Sequence, residues 1–490
     1  MSQNNTQKKQ AQKTAITPTR DADFPEWYQQ VIKAAEMAEN SPVRGCMIIK
    51  PYGYAVWENM QKVFDGMIKD LGVQNAYFPL LIPLSFLERE AEHVDGFAKE
   101  CAVVTHHRLE ASGEKGKLVP AGELEEPFVI RPTSETIIGD SMARWIQSYR
   151  DLPLKLNQWC NVMRWEMRTR MFLRTSEFLW QEGHNAFETA DEADEDKRKM
   201  LDAYADFAEN TLAVPVIRGE KTPEERFPGA ISTFTIEAMM QDGKALQAGT
   251  SHDLGQNFAH SIGIKFQGRD GSEQFAHTTS WGISTRLVGA MIMAHGDDDG
   301  MVMPPRVAPY PVGIIPILRD DQDTDRIFAA CDDLVMKLKA HDIRAFVDKS
   351  DQRTPDKMWG MIKKGVPVRV EIGAREVDEG TLTHVRRDLG RDSKETCSMA
   401  EFIGKSQDLL NDIHDTMLAR ARAFRDENTH HLASLADMEA HFKNGGKGFA
   451  VLDADILNDP GLERVKKEYS LTARCLPLDQ PGKVIIAKAY

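Results

Sequence analysis

The sequence predicts a mixed α/β protein: an antiparallel-sheet domain, then a compact α/β module, then a small α+β domain. A chain of 490 residues corresponds to roughly three domains of ordinary size. Two strand-like runs flank a polar loop in the first part, as in an antiparallel hairpin, whereas strands and helices alternate after Pro304-Pro305. We therefore expect a disordered tail at 1–20 and domains at 21–304, 305–405 and 406–490.

The elements of the first domain are predicted from hydrophobic periodicity. Apolar residues at i, i+3 and i+4 indicate helices, and alternation of apolar and polar residues indicates strands. Gly72 ends the first helix, and Gly282 marks the change from a strand to an apolar helix. In order, we expect a helix at 55–71, strands at 75–79, 158–166 and 177–187, a charged helix at 188–212, and a strand and helix between 274 and 294.

The α/β module is predicted from a regular alternation of short apolar runs and amphipathic segments. We expect strands at 312–318, 343–347 and 366–372, with helices at 324–340 and 355–364. A long helix at 399–424 then leads into the last segment, 425–490.

The composition is that of an acidic protein with ordinary hydrophobic cores. Hydrophobic residues make up 41% and charged residues 28% of the chain. Lys and Arg number 61 against 75 Asp and Glu, a formal charge of −14, which argues against a protein coated in basic surface. A local basic face would still be enough to bind nucleic acid. The six cysteines show no short metal-ligand spacing, which disfavours both a cysteine-built zinc site and a disulfide framework.

The first twenty residues lack the features of a secretory targeting signal. Met1–Arg20 has no acidic residue and lacks the apolar core of a secretory signal, so a disordered tail is the simpler interpretation. No run of 18 apolar residues occurs, so we expect no transmembrane helix and no membrane partner. The sequence therefore predicts a cytoplasmic protein.

Arginines and alternating side chains mark the predicted hairpin as a site for chemistry. Alternate side chains of a strand share a face, so Arg164 and Glu166 point together. Guanidinium groups bind phosphate bidentately and an aromatic ring can stack on a base, so the hairpin suits a nucleoside triphosphate. The turn carries Arg168, Arg170 and Arg174, and one face of the returning strand carries Phe178, Trp180, Glu182 and His184.

These residues resemble the motifs of the class II aminoacyl-tRNA synthetases. Arg164-Trp165-Glu166, the loop and the returning strand resemble the second motif, and 280–286 resembles the third. The segment 75–79, after its helix, resembles the first motif, which implies a homodimer. The resemblance extends to the prolyl-tRNA synthetases of the archaeal/eukaryotic type through RPTSET (131–136), FLRT (172–175), FLWQEGH (178–184), GTSHDLGQNF (249–258) and SWG (280–282).

The resemblance implies that the chain activates L-proline with ATP and Mg²⁺ and transfers it to tRNA(Pro). Arg164 and Arg286 would be the catalytic residues, and Glu237 a candidate Mg²⁺ ligand. The implied proline-binding residues are Thr133, Glu135, Arg164, Trp180, Glu182, His184, His252, Ser280 and Gly282. The implied ATP-binding residues are Arg164, Glu166, Arg174, Thr175, Phe178, Gln247, Thr250 and Arg286.

The resemblance also covers the α/β module, which is similar to the anticodon-binding domain of these enzymes. Between Arg353 and Arg391 there are nine Lys/Arg against six Asp/Glu, a modest basic face. The implied anticodon-reading residues are Arg353, Lys357, Glu371 and Arg387.

Arg164 and Arg286 are 122 positions apart, too close to hold the editing domain inserted in bacterial-type enzymes. The four cysteines that bind zinc in many relatives are missing, so we expect no zinc site.

Simpler roles explain several of these residues when each is taken singly. An isolated Arg-x-Glu is more often a surface ion pair, and Thr133-Ser134-Glu135 could be a helix cap. His184 and His252 could be core histidines, and Trp180 a core aromatic. The occurrence of five motifs in the expected order favours the enzyme.

Two other functions stay open at this point. A non-catalytic paralogue could bind tRNA or an amino acid, although both Arg164 and Arg286 are retained. A class II ligase for another small amino acid is the second alternative. Threonine enzymes of the class hold their substrate with zinc, and no such ligand pattern occurs here.

Overall fold

The computed structural model describes residues 14–88, 100–319 and 323–490. Residue contacts divide the chain into two compact units, Met1–Met37 with His295–Ile413, and Ala38–Ala294 with His414–Tyr490. The second unit, here called the catalytic unit, thus contains most of the predicted first domain and most of the predicted C-terminal domain. The other unit contains the α/β module.

Part of the predicted N-terminal tail is packed rather than disordered. Residues 1–13 lie outside the described residues. The side chain of Ile16 is buried, and its backbone N–H donates to the Asp298 carbonyl at 2.8 Å. Arg20 forms an ion pair with Asp298 at 3.4 Å. The last residues of the predicted tail are thus held by the buried Ile16 side chain and by the bonds of Ile16 and Arg20 to Asp298.

Helices form where the chain combines an apolar stripe with suitable ends. Pro51 begins the second helix, because proline is favoured in the first turn, and Thr189 caps the charged helix with a capping box. In the described ranges, no helix is long and apolar enough to cross a membrane. The helices are α1 (Phe24–Ala34), α2 (Pro51–Asp70), α3 (Leu84–Glu88), α4 (Glu135–Trp145), α5 (Ala190–Asn210), α6 (Asn257–Ile262), α7 (Arg286–His295), α8 (Thr324–Lys339), α9 (Thr354–Lys364), α10 (Ala374–Glu379), α11 (Met399–Glu427), α12 (Leu435–Lys443) and α13 (Leu462–Tyr469).

The strands are β1 (Ala38–Asn40), β2 (Met47–Ile49), β3 (Gln74–Asn75), β4 (Leu81–Pro83), β5 (Ala102–Ala111), β6 (Leu118–Ile130), β7 (Leu154–Met163), β8 (Glu177–Phe187), β9 (Val216–Glu220), β10 (Ser232–Met239), β11 (Ala245–Gly255), β12 (Lys265–Gln267), β13 (Glu273–Phe275), β14 (His277–Ser284), β15 (Val312–Ile317), β16 (Ala345–Val347), β17 (Val368–Gly373), β18 (Thr381–Arg386), β19 (Glu395–Ser398), β20 (Thr429–His431), β21 (Phe449–Asp453), β22 (Leu471–Pro477) and β23 (Lys483–Lys488).

One large sheet runs through the catalytic unit. Its strand order is β20-β21-β23-β22-β9-β10-β11-β14-β8-β7-β3, and the pairs from β21 to β7 are antiparallel. β22 pairs with β9 through Leu476 opposite Glu220 and Pro477 opposite Gly219. A Cβ at Gly219 would lie 2.4 Å from the Cys475 sulfur, so glycine permits this close approach. The C-terminal strands are therefore part of the same sheet as the central hairpins.

An aromatic core holds the helices against this sheet. The ring of Phe64 on α2 stacks on Tyr204 of α5 at 5.2 Å and meets Phe207 edge-on at 5.2 Å. Tyr204 in turn lies 6.3 Å from Trp281 on β14. Complete burial of one such side chain contributes roughly 1.5–3 kcal/mol. Through Trp281 this core positions β14, which pairs with β8. Both strands contribute residues to the candidate site.

The α/β module has the sheet order β16-β15-β17-β18-β19. β15 is parallel to both β16 and β17, and helices α8 and α9 provide the crossovers. β17 and β18 are antiparallel. The predicted mixed α/β architecture with an antiparallel main sheet is confirmed.

One element boundary differs from the prediction where a side chain replaces a strand partner. The strand predicted at 75–79 is only Gln74–Asn75. Beyond it, the Phe78 N–H donates to the side-chain oxygen of Gln158 at 3.2 Å instead of to a neighbouring strand. By contrast, the strand predicted at 177–187 has these bounds in the structure.

Candidate active site

Four neighbouring strands of the main sheet align polar side chains in rows. In one row Thr250 of β11 lies opposite Gly282 of β14, which lies opposite Glu182 of β8, followed by Gln158 of β7. Because alternate residues of a strand share a face, the next such row lies beside it on the same surface. That second row contains His252, Ser280 and His184.

These rows form the floor of a cavity of about 340 Å³. Its lining contains all nine residues predicted to bind proline and five of those predicted to bind ATP, namely Arg164, Phe178, Gln247, Thr250 and Arg286. A smaller cavity of about 160 Å³ is lined by the other three predicted ATP ligands, Glu166, Arg174 and Thr175. Arg164, Phe178 and Arg286 line both cavities. The structure thus brings the predicted residues into one continuous region.

A buried polar network surrounds Glu182. Its carboxylate accepts hydrogen bonds from the Ser134 hydroxyl and, at 2.7 Å, from the Gln158 amide. The other carboxylate oxygen lies 2.9 Å from Nε2 of His184. Burial opposes ionisation of Glu182, but these hydrogen bonds lower its pKa. Burial also opposes protonation of His184, yet its bond to Glu182 raises the pKa of the imidazole. Glu182 and His184 are thus a buried, hydrogen-bonded pair in the lining of the cavity.

A second carboxylate stands at the start of α4. Glu135 is the first residue of that helix, and the Thr133 hydroxyl donates to its carboxylate. Glu135 is 8% exposed. A carboxylate held next to a hydroxyl at the cavity wall is suited to an ammonium or imino group of a ligand.

Arg164 lies between these carboxylates and two aromatic rings. Its Nε donates to the Pro132 carbonyl at 2.8 Å. Its guanidinium carbon is 5.7 Å from the ring centre of Phe178 and 5.6 Å from that of Trp180. Burial lowers the pKa of Arg164, while the charges of Glu135 and Glu182 counteract this effect. The side chain is therefore a cation fixed on the cavity wall.

Arg286, the first residue of α7, faces the same region. Its guanidinium donates to the carbonyls of Leu173 at 3.2 Å and Gln247 at 3.4 Å. Burial, followed by repulsion from Arg174 and Arg164, lowers the pKa of Arg286 to about 10. Such convergence of cations is unfavourable in an empty site and becomes favourable when an anion binds between them.

The loop between β7 and β8 is held by Glu166. Its carboxylate pairs with Arg174 at 3.2 Å and accepts from the Arg168 N–H at 2.8 Å. Its own N–H donates to the Ser176 hydroxyl at 3.2 Å. Arg174 remains 53% exposed, so its guanidinium can still reach a ligand at the mouth of the smaller cavity.

A loop that our sequence reasoning missed covers the other side of the cavity. The ring of Phe227 lies 4.6 Å from that of His252, and Thr233 Oγ1 is 3.0 Å from His252 Nδ1. The cavity-lining residues of this loop are Lys221, Glu225, Arg226, Phe227 and Pro228. The only feature of the sequence that could have indicated this loop is its composition, KTPEERFPG. It places an aromatic residue among charged and turn-forming residues, between two strands.

Glu237 does not occupy the position expected of a metal ligand. It is fully buried, and its two carboxylate oxygens are bound by Lys221 at 2.8 Å and by Arg474 at 3.0 Å. A carboxylate that neutralises two fixed cations is a poor ligand for a third. Spacing along the chain could not reveal this, because Arg474 is 237 positions away.

In the α/β module, two of the four predicted anticodon residues line a separate cavity of about 640 Å³, namely Glu371 and Arg387. Arg387 is held in a bidentate ion pair with Asp297, at 2.6 Å for each nitrogen. Lys357 is buried and donates to the Asp348 carbonyl at 2.9 Å, and exposed Arg353 pairs with Asp356. The same cavity is also lined by Trp359, Arg369, Arg391 and Lys394.

Comparison with known proteins identifies the domains and the relatives of this chain. Residues 119–295 match the tRNA synthetase class II core domain (G, H, P, S and T), and residues 311–409 match an anticodon binding domain. The chain is 56% identical to the proline–tRNA ligase of Bdellovibrio bacteriovorus, covering 95% of each chain. It is 54% identical to the proline–tRNA ligase of Akkermansia muciniphila, covering 96% of this chain and 95% of the relative. It is 53% identical to proline–tRNA ligase 2 of Anaeromyxobacter dehalogenans, covering 97% and 99%.

Proposed function

Because the chain belongs to the proline–tRNA ligase family of class II aminoacyl-tRNA synthetases, we propose that it activates L-proline with ATP and transfers it to the 3′ end of tRNA(Pro). The observation that carries this proposal is the single cavity in which Arg164 and Arg286 converge beside the Thr133–Glu135 pair. The carboxylate and hydroxyl of Glu135 and Thr133 suit the imino group of an amino acid, and the two arginines suit the phosphates of a nucleoside triphosphate. Both ligands must lie side by side for the reaction.

The amino-acid end of the cavity suits proline. Glu135 and Thr133 would bind the secondary ammonium group, and Arg164 the carboxylate. Trp180, His184, His252, Ser280 and Gly282 surround a space that accepts a small apolar ring. Glu182 supports this pocket through its bonds to Ser134 and Gln158, without an open carboxylate facing the ring.

The activation step needs positioning and charge, and no side-chain nucleophile. An oxygen of the proline carboxylate attacks the α-phosphorus of ATP and pyrophosphate leaves, giving prolyl-adenylate. Arg164 would stabilise the charge at the α-phosphate, while Arg286 and Arg174 would bind the outer phosphates. Phe178 would stack on adenine, and Gln247 and Thr250 would contact the nucleoside; all three line the cavity. Glu166 and Thr175 hold the loop at the ATP side.

For Mg²⁺, the described residues contain no cluster of three or more carboxylate, histidine or cysteine ligands. Glu237 is engaged by two cations, as described above, and does not fit the role. We propose that any Mg²⁺ needed by the reaction enters with the ATP phosphates. No part of the proposed step depends on a protein-held metal.

Transfer to tRNA is proposed from the family and from the α/β module. Arg353, Lys357, Glu371 and Arg387 stay our predicted anticodon residues, with Trp359 and Lys394 added because they border the same cavity as Glu371. The short interval between Arg164 and Arg286 supports an enzyme of the archaeal/eukaryotic type without an inserted editing domain. We also propose a chain without zinc that acts in the cytoplasm.

A homodimer is proposed from the resemblance of 75–79 to the dimer-forming motif of the class. Exposed apolar side chains on the β5–β6 hairpin, Val103, Leu109, Leu118 and Val119, support it, because contiguous exposed apolar surface marks interfaces. Light scattering should give about twice the chain mass of 55.2 kDa.

Amino-acid-dependent exchange of pyrophosphate into ATP tests the function. Proline should stimulate exchange far more than alanine, cysteine or threonine. Arg286→Ala should reduce the rate by about 100-fold or more, as expected for loss of one charge-stabilising group. Arg269→Ala is the matched control, since this exposed arginine pairs with Glu188. Stimulation by another amino acid alone would refute the specificity, and no stimulation by any would favour a non-catalytic paralogue.

A further inference from the structure

A buried group of three charges, here called the Arg474 triad, lies beneath the candidate active site. It consists of Lys221, Glu237 and Arg474, whose side chains are 2%, 0% and 8% exposed. Lys221 Nζ donates to Glu237 Oε1 at 2.8 Å and to the Arg474 carbonyl at 2.9 Å. Arg474 donates to Glu237 Oε2 through Nε at 3.1 Å and Nη2 at 3.0 Å. Thr235 donates to Oε1 at 3.0 Å, so the carboxylate is fully bonded.

The triad joins three strands of the main sheet. Lys221 directly follows β9, Glu237 is on β10, and Arg474 is on β22, in the C-terminal part of the chain. Two cations balance only one carboxylate, so the triad carries one excess positive charge. Burial of an excess charge costs free energy unless an oppositely charged group pairs with it. An anionic ligand is the natural partner, and Lys221 lines the cavity in which we place ATP.

A path of contacts links the triad to the ATP side of the cavity. Glu237 lies opposite Gln247 in the β10–β11 pair, and the register of this pair shifts between Ile236 and Glu237. The Gln247 carbonyl accepts a hydrogen bond from Arg286 at 3.4 Å. A change in the position of Glu237 would therefore move Gln247, and with it the support of Arg286. Gln247 and Arg286, at the end of this path, are predicted ATP ligands, whereas Lys221 begins the loop whose Phe227 contacts His252 beside the proline pocket.

We propose that Arg474 is a positioning residue for ATP: it fixes Glu237, which orients Lys221 and Gln247 and directs the excess positive charge toward the triphosphate. This inference rests on the proposed function, because ATP is the anion that it invokes. It assigns to the C-terminal strands a part in the activation step, although none of their residues lines the two cavities described above.

Steady-state pyrophosphate exchange on the full chain tests the proposal. In Arg474→Met the KM for ATP should rise about tenfold, because a small misplacement of the groups that bind ATP has an effect of this size. The KM for proline should stay within about twofold of the wild-type value. Arg474→Lys, which retains the charge and one donor to Glu237, should recover most of the loss. Arg464→Met is the matched control: this C-terminal arginine is 57% exposed and pairs with Glu439 and Glu468. It should leave both constants unchanged.

Milder changes keep the test decisive if Arg474→Met does not fold. Arg474 donates to the Thr472 hydroxyl at 2.9 Å, so Thr472→Val removes one orienting bond and retains all charges of the triad. It should raise the KM for ATP about twofold to threefold. A KM for ATP equal to wild type in folded Thr472→Val, or an equal rise in both KM values for any folded Arg474 variant, would overturn the proposal.

The wild-type chain separates this inference from the proposed function. Proline-dependent exchange by the wild type tests the function, and the ratio of variant to wild type tests the triad. If the wild type showed no exchange, calorimetric titration with ATP would still compare the dissociation constants of wild type and variants. Weaker ATP binding by Arg474→Met would then support the triad, and equal binding would refute it.

Discussion

At the scale of single residues, His252 illustrates how burial sets the charge of the site. Its imidazole lies against the ring of Phe227 and near the Thr233 hydroxyl, and it shares a face of the sheet with His184. Burial, and then repulsion from His184, lower the pKa of His252 to about 3. Burial also opposes protonation of His184, but its bond to Glu182 raises the pKa of that imidazole. The pKa values of two histidines on one face of the sheet are thus shifted in opposite directions.

We predict that His252 makes the protein less stable in acid. An unfolded histidine has a pKa of about 6.5, so between pH 6.5 and 3 the unfolded chain binds a proton that the folded chain does not. The free energy of unfolding should therefore decrease as the pH falls through this range, by up to about 1.4 kcal/mol per pH unit from this group. Above about pH 6.5 this contribution is constant.

Urea unfolding at pH 5 and pH 7 measures this effect. The difference between the two pH values should be smaller in His252→Gln than in wild type, because glutamine does not titrate. His431→Gln, at an exposed histidine, is the control and should retain the wild-type difference. Identical pH dependence in wild type and His252→Gln would contradict the prediction.

At the scale of elements, the contact between β8 and β14 depends on one missing side chain. Gly183 lies opposite Trp281, and a Cβ at Gly183 would come within 2.0 Å of the indole ring. The indole is almost completely buried, and its residue lines the candidate active site. A larger residue at 183 must therefore displace either the ring or the strand.

We predict that Gly183→Ala destabilises the fold by about 1–3 kcal/mol, the usual cost of overpacking, and lowers exchange activity as Trp281 moves. Gly404→Ala is the control: this glycine is in helix α11 with open space around its Cβ position, so alanine should stabilise by about 0.5–1 kcal/mol. Thermal unfolding with the exchange assay measures both. Unchanged stability in Gly183→Ala would show that β14 adapts to the added methyl group.

Several elements could be predicted from periodicity, whereas others that carry the site, such as β10 and β11, could not. Strand β8 has the predicted bounds, Glu177–Phe187, and its second half is buried throughout. The strand after α2 was predicted too long because Gln158, a residue distant in sequence, takes the Phe78 N–H. Periodicity reports which face is buried, and it does not report which group satisfies a backbone donor.

At the scale of the whole molecule, some site residues could be predicted from the local sequence, and others depend on contacts with residues distant in the chain. Motif residues such as Arg164 and Arg286 were found from their own sequence neighbourhood. The loop around Phe227 and the partner of Glu237 were not, because their roles depend on contacts between distant segments. The ion pairs of Glu237 with Lys221 and Arg474, which make it a poor metal ligand, could not be predicted for this reason.

The shared sheet predicts that the catalytic unit unfolds as one body. The amides of β22 and β9 should exchange hydrogen with similar free energies, close to that of global unfolding, because the two strands pair directly. Native-state hydrogen exchange across a series of denaturant concentrations measures this. Exchange of β22 at clearly lower denaturant than β9 would instead indicate a C-terminal segment that opens independently.

The pairing of β22 with β9 also limits how the protein can be divided. If the chain were cut after α11, β9 would lose its neighbour and become the edge of the remaining sheet, with the small residue Gly219 in its middle. Exposed edges recruit strands from other molecules, so an excised core would be prone to aggregate. During synthesis the same edge stays open until β22 emerges about 250 residues later, a long-range pairing that makes this step of folding slow.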